Sequence, residues 1–99
     1  MKIEILDDAR QDLLDGSQFY NRIEAGLGDY FFNSLLSDID SLQIYAGIHP
    51  RVLDYYRCLS KRFPFAIYYE FHPGLVEVYA VLDCRRSPTW IRQRLQRQG

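Results

Sequence analysis

The chain has 99 residues, 47% of them hydrophobic, 25% charged and 15% aromatic, which fits one folded domain spanning 1–99 and excludes a disordered chain. No apolar run of about 18 residues is present, which excludes a membrane-spanning helix, and Asp7 and Asp8 follow the first apolar residues too soon for a signal peptide. The net charge of −1 hides an asymmetry: residues 1–49 carry three Lys/Arg against nine Asp/Glu, a net −6, while residues 50–99 carry nine against four, a net +5.

Lys2 to Leu6 alternates polar and apolar residues and predicts a short strand. Asp7 is a candidate N-cap for the helix that follows, with Asp8 near the positive end of its dipole. Ala9, Leu13, Gly16, Tyr20 and Ile23 then recur at steps of four and three, a helical stripe. Gly16 lies on that stripe, where it permits close approach of a neighbouring helix. Gly26 and Gly28 punctuate its end. A second helical stripe runs through Leu27, Phe31, Leu35, Ile39, Leu42 and Ala46, with Gly47 as the residue after the cap and Pro50 blocking continuation. The two helices form an antiparallel hairpin whose apolar stripes need a sheet to cover them.

Arg51 to Leu59 reads as the first strand of that sheet, and Ser60, Lys61 and Arg62 as a polar break. Phe65, Ile67, Tyr69 and Phe71 alternate along the strongest strand. Pro73 and Gly74 fit the central places of a type II turn. Leu75 to Leu82 returns as the hairpin partner, with Val76, Val78, Ala80 and Leu82 expected on one face. Ser87 and Pro88 form a helix start, Ser as N-cap and Pro at the first position. The terminal helix is expected to turn Trp90, Ile91 and Leu95 inward and Arg92, Arg94 and Arg97 outward. The predicted order is β-α-α-β-β-β-α: an α+β domain with a helical hairpin packed on a small antiparallel sheet, whose other face is only partly covered by the last helix.

The residues carry no metal or cofactor motif. His49 and His72 are isolated, Cys58 and Cys84 lack near partners, and no glycine-rich phosphate loop follows a strand. The cysteines read as reduced thiols of a cytoplasmic protein. His72 reads as a solvated turn residue rather than a base. The arginines remain. Arg57 lies on a strand, Lys61 and Arg62 at the break, and Arg85 and Arg86 where the last strand exits. Their convergence at one end or on the open face of the sheet would suit phosphate or carboxylate, which a guanidinium binds through two parallel bonds. Tyr55, Tyr56, Tyr68 and Tyr79 add stacking surface of the kind used for nucleic acid. The plainer alternative is that half of these tyrosines are core and the arginines lie over them.

Three stretches together resemble the RelE/ParE superfamily of small toxins from bacterial toxin–antitoxin modules. They are Asp8 to Leu13 with Phe19 and Tyr20, Phe63 to Tyr69, and Val81 to Trp90 with its Arg85-Arg86-Ser87-Pro88 exit. The resemblance spans nearly the whole chain and implies the fold read above. It also implies a bacterial protein of the kind linked to plasmid stabilization, neutralised by a cognate antitoxin whose flexible segment folds over it near the helical hairpin and sheet edge, with oligomers formed through that antitoxin. RelE-like members cleave messenger RNA on the ribosome; ParE-like members bind and inhibit DNA gyrase. Arg85 or Arg86 matches a basic position that the nucleases use, and Arg57, Arg62, Arg85 and Arg86 are the catalytic candidates on that reading. However, Phe65 stands where those nucleases often carry a basic residue, and the last helix has no tyrosine. The Phe63-Pro64-Phe65 strand and the Ser87-Pro88-Thr89-Trp90 exit look closer to ParE. The ParE-like reading makes Arg85, Arg86, Trp90, Arg92 and Arg94 the target-binding set, with no cofactor. A binding module of the same fold without toxicity is the third reading.

Overall fold

The computed structural model describes residues 1–97. Strand β1 (Lys2–Ile5) leads into α1 (Asp7–Ile23) and α2 (Leu27–Asp40), followed by a single helical turn, α3 (Leu42–Tyr45). Then come β2 (Arg51–Val52), β3 (Tyr55–Leu59), β4 (Phe65–His72), β5 (Leu75–Asp83) and α4 (Pro88–Gln96). The five strands lie in the order β1-β5-β4-β3-β2, antiparallel throughout β5-β4-β3-β2, with β1 added parallel to β5 at the edge. The α+β architecture is the one the hydrophobic periods predict.

The helical hairpin packs as its glycines require. A Cβ at Gly16 would lie 2.6 Å from the Phe31 ring, and one at Gly28 would lie 2.0 Å from the Ser17 carbonyl oxygen. The helices meet at those two points because no side chain intervenes. Asn21 closes the hairpin from α1: its Oδ1 accepts the N–H of Gly26 at 3.2 Å and of Gly28 at 2.7 Å, satisfying donors that α2 leaves free at its start. Gly26 is therefore the N-cap of α2, in the left-handed region at φ 91°, and Gly28 belongs inside that helix. Asp7 is likewise inside α1, whose N-cap is Leu6 with no side-chain bond.

The hairpin buries Ala9, Leu13, Tyr20, Phe31, Leu35 and Ile39 against Phe65, Ile67, Tyr69, Val76, Val78 and Val81. Phe63 and Phe65 meet Tyr20 and Phe31 with ring centroids 4.8 to 6.3 Å apart, an aromatic cluster that ties the Phe63-Pro64-Phe65 segment to both helices.

Two expectations about the strands are corrected. Arg51 to Leu59 is not one strand. The chain reverses at Leu53 and Asp54, with Leu53 in the left-handed region at φ 56°, and makes a two-residue strand before β3. Nor do Val76, Val78, Ala80 and Leu82 share a face. Tyr68 pairs with Ala80 while Tyr69 pairs with Val78, so Tyr79 is an extra residue in the ladder. A bulge exchanges the two faces beyond it. Val76, Val78 and Val81 lie under the helices, whereas Ala80 and Leu82 lie on the other face with Ala66 and Tyr68, beneath Leu95 and Ile91 of α4.

Candidate functional site at the strand exit and the open sheet face

The register places the basic residues at one end of the sheet. Phe65 opposes Asp83, and the Cys84 N–H donates to the Pro64 carbonyl at 2.8 Å, so the loop carrying Lys61 and Arg62 lies beside the exit carrying Arg85 and Arg86. Arg57 reaches the same end: it stands opposite Tyr68 in the β3–β4 ladder, and its Nη2 lies 3.8 Å from Cys84 Sγ. The expected convergence therefore occurs, but the five cations are not equivalent.

Arg85 is bound in place. Its Nε and Nη2 donate to the two oxygens of Asp83 at 2.9 and 2.8 Å, and its Nη2 lies 3.4 Å from the Tyr20 hydroxyl. The guanidinium holds the Asp83 carboxyl below its ordinary pKa, and Asp83 in turn raises that of Arg85. Arg86 is freer. Its guanidinium lies 4.4 Å over the Trp90 ring, and Trp90 is 37% exposed rather than turned inward. Ser87 fixes this corner, accepting the Trp90 N–H at 3.1 Å with Pro88 at the first helical position, as its sequence predicts. Arg92 projects to solvent.

Arg94 does not project outward. It is 7% exposed and donates Nη1 to Asp12 Oδ2 at 2.9 Å, and the same oxygen accepts the Val81 N–H at 2.9 Å. Burial raises the Asp12 carboxyl above its ordinary pKa, against the pull of Val81 and Arg94. Arg94 is thus the pin that holds α4 to α1 and β5, which removes it from any contact surface. Its position on the helix misled because Arg92, Arg94 and Arg97 cannot all face one way, and only the facing Asp12 decides which turns in. A groove of about 590 Å³ runs between α1 and α4 over the ends of β4 and β5, with Phe19, Arg22, Arg86 and Trp90 in its walls.

The open face of the sheet is divided. At the exit end lie Arg57, Tyr68 and Cys84. At the other end Glu4 pairs with Glu77 and Glu77 with Glu70, a row of three carboxylates across β1, β5 and β4. Like charges directly opposite one another are unfavourable; Arg51 offsets Glu70 at 3.0 Å and His72 pairs with Glu77 at 2.9 Å. Tyr55 and Tyr79 lie next to this row with rings 5.0 Å apart, and burial together with the glutamates raises both phenol pKa values. Sequence reading missed the row because its members come from three strands and its register depends on the bulge. Tyr56 belongs to the other face, stacked on Tyr69 at 5.2 Å. His72 is in the acidic row, not a free turn residue.

Burial raises the Tyr68 phenol pKa too, against the pull of Arg57. Tyr68 is 2% exposed beneath α4, so of the two it is the half-buried Arg57 that solvent reaches. Neither hydrogen-bonds a carboxylate or an imidazole among the described residues. Among the described residues no cluster of His, Cys, Asp or Glu could hold a metal, both cysteines are free thiols, and no helix is long and apolar enough to cross a membrane.

No family model matches the chain, and no curated protein matches it. Its backbone does match a solved one: a chain of the structure described as the chromosomal ParDE TA system from P. aeruginosa superimposes with a TM-score of 0.73 at 14% identity, over 82% of this chain and 92% of that one. The chain therefore has the ParE-like fold that its exit and aromatic strand resemble.

Proposed function

We propose that the chain is the toxin of a type II toxin–antitoxin module, ParE-like, which inhibits DNA gyrase by binding it and is neutralised by a cognate antitoxin. The exposed Arg86–Trp90 pair carries the reading: a cation stacked on an aromatic ring, at a corner fixed by the Ser87 cap, in a chain whose fold is shared with a member of a ParDE system. Arginine and tryptophan are the residues most enriched where binding energy concentrates. Arg85 positions this corner through Asp83 and Tyr20, and Arg92 extends it along α4. Arg94 has no part in target contact.

The second reading, a RelE-like ribonuclease, is favoured by Arg57 on the open face with Arg62 and Arg85 at the same end. Two observations weigh against it. Tyr68, the neighbour of Arg57, is buried beneath α4, and a strand of RNA running along the face meets Glu77, Glu70 and Glu4.

Gyrase supercoiling and ribosome-dependent mRNA cleavage, assayed side by side with the purified chain, separate the readings. Gyrase inhibition without cleavage is expected. Cleavage without an effect on gyrase sinks the proposal, and no effect in either assay favours a non-toxic binding module.

A further inference from the structure

The open face of the sheet is stepped. α4 stands on its exit half, over Ala66, Tyr68, Ala80 and Leu82, and rises above the strands by about 10 Å, the thickness of a helix. Among the described residues no element covers the other half. That half is a recess beside α4. Tyr55 and Tyr79 lie at its inner end, the row Glu4, Glu77 and Glu70 crosses its floor, and Lys2 and His72 stand at its outer end.

The step and the recess carry opposite charge. α4 contains no acidic residue. Its inner side is engaged: Ile91 and Leu95 pack on the sheet, and Arg94 is bound to Asp12. Its outer side presents Arg92, Gln93 and Gln96, all exposed. Among the described residues neither Arg92 nor Glu4 forms an ion pair, while Glu70 and Glu77 have one partner each, Arg51 and His72. Three carboxylates abreast on neighbouring strands repel one another, and a cation laid over them relieves that repulsion. The chain cannot bring its own Arg92 there, because the Asp12–Arg94 pair fixes α4 to the opposite half.

We propose that a second copy of this chain fills the recess. A twofold axis parallel to the sheet and across its strands carries the exit end of one copy onto the carboxylate end of the other. Each α4 then lies in the other copy's recess, with Arg92 over Glu4 and Glu77 and the two glutamines within reach of the tyrosine hydroxyls. The charges match the twofold: every cation brought by one copy meets a carboxylate of the other, twice. Both steps are filled at once, so the assembly closes at two copies. The interface holds two nine-residue helices, each about 14 Å long and 10 Å wide. That is the small end of the specific range, and it sets the dissociation constant on the order of 10–100 μM. The inference stands apart from the toxin reading.

Sedimentation of the whole chain tests this. The average mass should rise from 11.7 kDa toward twice that value as concentration is raised to about 500 μM, and about 1 M salt should reverse the rise. In NMR spectra of the same samples, the concentration-dependent amide shifts should fall on α4 and on Glu4, Glu70 and Glu77. Arg92→Glu and Glu4→Arg should each weaken association at least about tenfold, since each reversal counts twice in a twofold pair. Both positions are exposed, and Glu4→Arg relieves the row within the chain, so both variants should keep folded spectra. An equal mixture of the two variants should associate again, because each then meets the opposite charge on the other. A mass of one copy throughout overturns the proposal. So do growth beyond two copies, shifts confined to the exposed Ile44 and Ile48, single variants that associate as the parent does, and a mixture no tighter than its components. The readout needs no gyrase, so a negative supercoiling assay sinks the functional reading while leaving the pairing untouched, and the reverse also holds.

Discussion

The two faces of the sheet differ in kind. Under the helical hairpin, Tyr20, Phe31, Phe65, Ile67, Val76 and Val78 form a continuous apolar layer, and the closest helix approach is made by glycines. On the other face α4 covers only Ala66, Tyr68, Ala80 and Leu82, and beyond it lie a carboxylate row, two tyrosines and a cationic exit. The first face supplies the stability that a domain of 99 residues needs. The second is polar and divided by charge, which is what a recognition surface requires. The comparison predicts that damage to the first face unfolds the chain, whereas damage to the second changes what it binds.

The strongest test joins the two. Asp12→Ala removes the partner of buried Arg94 and the acceptor of Val81 N–H, and it should cost roughly 3–5 kcal/mol in a urea titration. Replacing both ends, Asp12→Leu with Arg94→Met, should recover much of that loss, because the pair is costly to break rather than to lack. A loss of less than about 1 kcal/mol for Asp12→Ala would mean that α4 is not pinned to the hairpin layer.

Gly28→Ala comes next, at about 3 kcal/mol, because its Cβ would enter the space of a backbone oxygen that cannot rotate away. Gly16→Ala meets only the Phe31 ring and should cost less, about 1–2 kcal/mol. Equal thermal shifts for the two would contradict the described helix contact.

The joint variant Arg86→Ala and Trp90→Ala should leave stability within about 1 kcal/mol, since both side chains are exposed. It should nevertheless reduce target binding by at least about tenfold. Full activity in the supercoiling assay would remove this corner from the proposed surface.

The smallest effect is a pH dependence. The Tyr69 hydroxyl accepts the Gly47 N–H at 2.9 Å and hydrogen-bonds His49 Nδ1 at 2.5 Å, a bond that the tyrosine donates when the histidine is neutral with Nδ1 unprotonated. Burial holds the His49 pKa below its ordinary 6.5. As pH falls through that value the unfolded chain binds a proton that the folded one refuses, so stability drops with acidification. His49→Asn keeps an acceptor for Tyr69 and removes the titration, and its stability should vary less between pH 7 and pH 5. An unchanged slope would assign the dependence elsewhere.

Much of this was legible in the residues. The helical stripes from Ala9 to Tyr20 and from Leu27 to Leu42, the Pro73-Gly74 turn, with Gly74 at φ 75°, and the Ser87-Pro88 start are local signals that the structure realises, whereas Ile23 at the end of the first stripe is 62% exposed and Ala46 lies beyond α3. The Gly16 approach and the convergence of the basic residues at one end were legible as well, because strand order follows from hairpin connections. The break between β2 and β3 was hidden by the reading of Arg51 to Leu59 as one strand; Pro50 was seen only as a helix stop, although a proline beside a strand also ends a ladder.

Local periodicity and end signals act over a few residues, so the sequence alone determines the helices, the turns and the charge division between its halves. Tertiary structure decides which side chains work. One extra residue at Tyr79 exchanges the faces of β5 beyond it, and one carboxylate on α1, Asp12, turns Arg94 from a surface cation into a buried pin while Arg86 and Trp90 stay outside. These outcomes depend on groups tens of residues apart meeting in one register, and no window along the chain contains both partners.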